Sequence, residues 1–147
     1  MDWKRAIEEE RAALGRIVAL LFALAGLAER AAGRSPVVRA MVLWVLRHAE
    51  MIARDFVTGD SDALPASMPN APAGGAAADA MRLAMRFRAL ARQLDAEARL
   101  LAAPRREDGG GIEPLPSGRS RSIRRALSAL AALACRAAQP VRAPDTS

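Results

Sequence analysis

Few residues in this chain are of the types that do chemistry, and their spacing decides what each could do. His48 is the single histidine. His48-Ala49-Glu50 has the H-x-E order of a zinc deaminase, but that site also needs a P-C-x-x-C segment for its remaining ligands, and the sequence has none. His48 is expected to be structural or exposed. Cys135, the single cysteine, has no histidine near it in sequence and sits in an alanine-rich stretch, which reads as a buried, inert thiol rather than a nucleophile. Asp60-Ser61-Asp62 begins like a calcium loop but lacks the later ligands and the closing glutamate, so a solvated turn is expected. Gly109-Gly110-Gly111 is followed by Ile112-Glu113 and not by G-K-[ST], and no strand precedes it, which excludes a phosphate loop. Glu9-Glu10 and Glu107-Asp108 stand among other charges, where ordinary ionisation is expected. No catalytic residue, cofactor or metal ligand is assigned, and the expectation is a protein that is not an enzyme.

The regular elements of the chain read as helices throughout, joined by linkers. Hydrophobic residues make up 52% of the 147, but aromatics only 3% and tyrosine is absent, so a core must rest on Leu, Ile, Val and Met. Alanine, the strongest helix former, dominates what remains. A first helix runs from a cap at Asp2 to Gly33 without a breaker, with Ile17, Leu20, Leu21 and Leu24 as packing positions. Ser35-Pro36 offers an N-cap followed by proline at the first helical position, starting a second helix. Val38, Met41, Val45, Ile52 and Phe56 mark its apolar side, and Arg39, Arg47, Glu50 and Arg54 its polar side. A third helix, capped by Asp79, carries Leu83, Phe87, Leu90, Leu94 and Leu101 at alternating spacings of four and three, as a helix-pairing seam requires. A shorter basic helix from about Ser122 has Ile123, Leu127 and Leu130 on one face.

The fold class expected is all-α: an N-terminal antiparallel helical hairpin over 1–57, an amphipathic helix over 80–103 and a short C-terminal helix over 122–139. Pro-, Gly- and Ala-rich segments at 58–79 and 104–121 read as flexible linkers, and 140–147 as a disordered tail. The opening Met1-Asp2-Trp3-Lys4-Arg5-Ala6-Ile7 and the run from Ile17 to Ala28 resemble short uncharacterised Ala- and Arg-rich proteins of GC-rich bacterial genomes. The resemblance covers about the first third of the chain and implies no activity.

Partners are bounded by charge and by one apolar run. The net charge is +6, but nine basic residues stand against ten acidic ones up to Asp79, so the excess belongs to the second half. There Arg82, Arg86, Arg119, Arg121, Arg124 and Arg125 are candidate contacts to an anionic partner. From Ile17 to Ala28 the first helix is apolar on all sides, and such a helix should be buried all round. That uncharged run extends roughly 18 Å, short of the ~30 Å of a bilayer core. Three arrangements would cover it: the third helix docking on the hairpin, a homodimer or other helical partner, or a hairpin lying in an anionic membrane interface with the basic helices on the headgroups. The long first linker weighs against one compact bundle. The expectation is an interaction protein that associates with itself or with a membrane, in the cytoplasm or on the cytoplasmic face. The alternative is a small basic nucleic-acid-binding protein, disfavoured because it lacks a recognised motif and aromatic stacking platforms.

Overall fold

The computed structural model describes residues 3–58, 75–102 and 117–139. Within them the chain is all-α, with helices α1 (Trp3–Ala32), α2 (Pro36–Thr58), α3 (Ala77–Ala102) and α4 (Ser117–Ala138). The expected linkers and tail lie mainly outside the described residues, as does Asp2.

The first turn follows the sequence closely. α1 ends at Ala32 and α2 begins at Pro36, with the Ser35 carbonyl accepting from the Arg39 amide at 2.9 Å. Two helix starts differ from expectation. Asp79 is not the cap of α3: the helix is already under way, with the Ala76 carbonyl accepting from the Asp79 and Ala80 amides, and Asp79 sits in the first turn. An acidic side chain there still complements the positive end of the helix. α4 begins at Ser117, not near Ser122, and its 22 residues make it comparable to α2 and not short. Nothing after Pro116 breaks a helix except Gly118, whose cost of about 1 kcal/mol is tolerable near an end.

One core joins all four helices. α1 contributes Leu14, Ile17, Leu21, Leu24 and Ala28, and α4 contributes Ile123, Ala126, Leu130, Leu133 and Ala137, both at alternating spacings of three and four. α3 contributes Leu83, Phe87 and Leu94 with small Ala80, Ala84 and Ala91 between them. Alanines in the seam let the helix axes approach closely, which spreads contact along the whole of α3. The broadest packing is α1 on α3, and the narrowest is α1 on α2. Among the described residues the α3 and α4 backbones are not neighbours, and each lies against both α1 and α2. The hairpin helices are therefore joined by their turn but packed chiefly through the two later helices.

The topology explains the long connection. The Gly75 Cα lies against Ala40 and Leu43 of α2, and Arg86 of α3 reaches Glu50 of α2, so α2 and α3 run in the same direction. Parallel neighbours cannot be joined by a tight turn. The chain must travel back along about 27 Å of α2, at 1.5 Å per helical residue, before α3 can start. Arg88 of α3 pairs with Glu29 near the end of α1 at 2.6 Å, and α3, parallel to α2, runs antiparallel to α1. The end of α4 meets the end of α1 and the start of α2, giving an up-down-down-up bundle. A long linker was expected to weigh against one bundle, but this order of helices needs it.

Arg39 and Gly75 lock that corner. Arg39, expected on the polar side of α2, is half-buried and donates to three carbonyls: Gly75 at 2.6 Å through Nε, and Arg34 at 3.1 Å and Ala32 at 3.2 Å through Nη1. Its charge satisfies the negative end of α1 while holding the entry to α3. A Cβ on Gly75 would stand 3.1 Å from Leu43 Cδ1 and 3.2 Å from the Ala40 Cα. Gly75→Ala is therefore expected to destabilise the bundle by about 1–3 kcal/mol through overpacking. A lower urea midpoint with an unchanged slope is the expected reading, and an unchanged midpoint would show that the corner is loosely packed.

Candidate interaction faces

The expected packing residues divide into core and periphery. Ile17, Leu21, Leu24, Val45, Ile52, Leu83, Phe87 and Leu94 are buried, while Leu20, Val38, Phe56 and Leu90 are half-buried. Met41 is 50% exposed, so it lies outside the core. The core face of α2 instead runs through Leu43, Leu46, Ala49 and Ala53. Leu101 is in α3, but its side chain is outside the described residues.

The arginines divide more sharply. On α3, Arg82 pairs with Asp79 at 3.6 Å, Arg86 with Glu50 at 3.3 Å, Arg88 with Glu29 at 2.6 Å and Arg99 with Asp95 at 2.7 Å. Glu50, expected on the polar side of α2, is buried between α2 and α3, where it accepts from Arg86 and, at 2.7 Å, from Arg54. Arg82 and Arg86 are thus matched within the fold. Arg121, Arg124 and Arg125 are exposed on α4, a helix with five arginines and no acidic residue. Arg119 is in α4, but its side chain is outside the described residues.

The all-round apolar stretch of α1 is not buried all round. The most apolar 18-residue window of this helix has a mean hydropathy of 1.8, and only 33% of it is buried. By length and composition α1 could cross a membrane, but α3 and α4 cover just one side of it. The open side presents Ala12, Gly15, Ala19, Phe22 and Ala23, with Phe22 45% exposed. A Cβ on Gly15 would meet nothing within 4 Å. On α2, Val37, Met41 and Met51 form a second exposed apolar strip, with half-buried Trp44 between them.

Between the ends of α1 and α4 and the start of α2 lies a cleft of about 510 Å³, walled by Leu27, Val38, Val42 and Ala137 and carrying Arg30 and Arg34. Arg30 donates through Nε to the Gly26 carbonyl. These residues are scattered over three helices, so no local spacing could have announced the cleft.

The residues read for chemistry form no catalytic arrangement among the described residues. His48 is half-buried, with Ala49 in the core and Glu50 occupied by two arginines. Cys135 is exposed, contrary to the buried thiol expected. The wheel of α4 places it opposite Leu130 and Leu133, on the arginine-bearing side. A water-soluble thiol reagent is therefore expected to modify Cys135 in the folded chain nearly as fast as in urea, and strong protection would contradict this orientation of α4. The chain matches no family model, no curated protein and no solved structure. Function must be read from its surfaces.

Proposed function

We propose that this is a non-enzymatic helical interaction protein that associates with itself or with a membrane through the open apolar side of α1. One observation carries the reading: the one described helix with an apolar stretch long enough to cross a membrane has only 33% of that stretch buried. Apolar area left in water favours burial at about 25 cal/mol per Å², and a continuous strip on a monomer marks a contact surface. The small residues Gly15, Ala19 and Ala23 at spacings of four permit close approach of a second helix, and Phe22 gives the strip one large anchor. The alternative, a nucleic-acid-binding protein, draws on the unmatched arginines of α4 but leaves the α1 strip without a role.

Sedimentation velocity and vesicle flotation of the wild type and Phe22→Glu test the proposal. The wild type is expected to assemble or to float with vesicles, and Phe22→Glu to lose that association while keeping the wild-type unfolding free energy within about 1 kcal/mol, as an exposed position should. A wild type that stays monomeric and vesicle-free up to high concentration would sink the reading.

A further inference from the structure

We infer that the cleft between the ends of α1 and α4 and the start of α2 binds a medium-chain aliphatic carboxylate, with the tail on the apolar walls and the head on Arg30 and Arg34. The cleft shares no residue with the open strip of α1, so the inference does not depend on the function proposed for that strip. Its volume of about 510 Å³ lies within the roughly 300–1,000 Å³ usual for small-molecule sites. Of its walls, Leu27, Val38 and Val42 are half-buried and Ala31 and Ala137 are buried. No aromatic ring lines it, so the walls suit a flexible chain better than a stacked ring. Arg30, Arg34, Ser35 and Gln139 are all exposed, which places the polar groups at the rim and the apolar ones deeper.

The charge at this rim is unbalanced. Among the described residues no carboxylate pairs with Arg30 or Arg34, and the first turn of α2 has no acidic residue. Glu29, beside Arg30 in sequence, is held by Arg88 of α3 at 2.6 Å. Arg136 adds a further positive charge in the last turn of α4. The negative groups at hand are the carbonyl ends of α1 and α4, and these are partly served within the fold. Arg30 donates from Nε to the Gly26 carbonyl at 3.2 Å, Arg39 donates from Nη1 to the Ala32 carbonyl, and the Gln139 amide donates to the Cys135 carbonyl at 3.2 Å. Arg30 thus keeps its two Nη groups for a ligand, and Arg34 its whole guanidinium. Two guanidinia at one rim repel each other unless an anion lies between them, and a carboxylate accepts paired hydrogen bonds from a guanidinium fork. A head group alone would leave the apolar walls in water, and a neutral chain would leave the arginines unmatched; an aliphatic carboxylate uses both.

The test is titration of the full chain with sodium octanoate below its micelle concentration, followed by calorimetry and by the methyl shifts of Val38 and Val42. Hexanoate, octanol and octyl phosphate are compared on the wild type, and octanoate on R30Q/R34Q and F22E, with the fold of each variant checked by urea unfolding. Octanoate is expected to move both valines and to bind roughly tenfold more tightly than hexanoate, since each buried methylene is worth about fourfold. Octanol should bind about tenfold more weakly than octanoate, as should octanoate to R30Q/R34Q, because each comparison removes a charge-assisted contact. F22E should bind as wild type does. Equal binding of octanol and octanoate, or of octanoate to wild type and R30Q/R34Q, overturns the assignment of the head to the arginines. Octyl phosphate binding more than tenfold tighter than octanoate overturns the carboxylate as head. Binding that F22E loses, or that leaves Val38 and Val42 unmoved, places the amphiphile elsewhere and overturns the cleft as its site. Absence of octanoate binding overturns the inference and leaves the proposed role of α1 standing.

Discussion

Leu21→Glu is expected to abolish cooperative unfolding, while Phe22→Glu, one residue away, leaves it intact. Leu21 is fully buried among α1, α3 and α4 core residues, and the structure offers a carboxylate there no partner. An unpaired buried charge costs several kcal/mol even after relaxation, and loss of the leucine adds about 2–5 kcal/mol. Together these approach the 5–15 kcal/mol that holds a typical domain folded. Phe22 lies about 100° further round the helix and is 45% exposed, so a carboxylate there reaches water. Far-ultraviolet signal alone is a poor readout, because alanine-rich helices keep residual helicity when packing is lost. The deciding measurement is the steepness of the urea transition. Matching transitions for the two variants would mean that α1 is not sided as described.

Phe87→Ala is expected to cost about 3–5 kcal/mol, the range for emptying a large aromatic site in a core that relaxes only partly. Among the described residues Phe87 is the largest fully buried side chain, on the helix that packs against both α1 and α2. In a chain with only three phenylalanines and two tryptophans, no second aromatic can refill the space. The urea midpoint should fall accordingly. A loss below about 1 kcal/mol would mean that α3 is loosely held against its neighbours.

How much could be read in advance depended on whether the signal was local. The α3 seam was legible because Leu83, Phe87 and Leu94 stand among charged residues, so their period is unambiguous. α2 was harder. From Val37 to Leu46 it is apolar at nearly every position, so Met41 and Leu46 fit an apolar face equally well, and only packing separates them. Arg39 and Glu50 look solvent-facing in the sequence because their partners, the Gly75 carbonyl and Arg86, both lie 36 residues away. The same applies to the arginines. Arg82 and Arg86 look like Arg124 and Arg125 in sequence, and the fold distinguishes them by supplying carboxylates to the first pair. The linker was legible as a segment, but its meaning depended on the parallel setting of α2 and α3, which no spacing records.

The sidedness of α1 underlies both the fold and the proposed function, and single-cysteine reactivity measures it most directly. In a Cys135→Ser background, cysteines are placed singly at Ile17, Leu21 and Leu24 and at Ala19, Phe22 and Ala23, and their modification rates are followed in the folded chain below its assembly concentration. The first three should be protected to a degree set by global unfolding, and the second three should react nearly as fast as in urea. Assembly at higher concentration, or added vesicles, should then slow the second set alone. If positions 21 and 22 react alike, whether both fast or both protected, α1 is not covered on one side and open on the other, and the interaction face proposed for it does not exist.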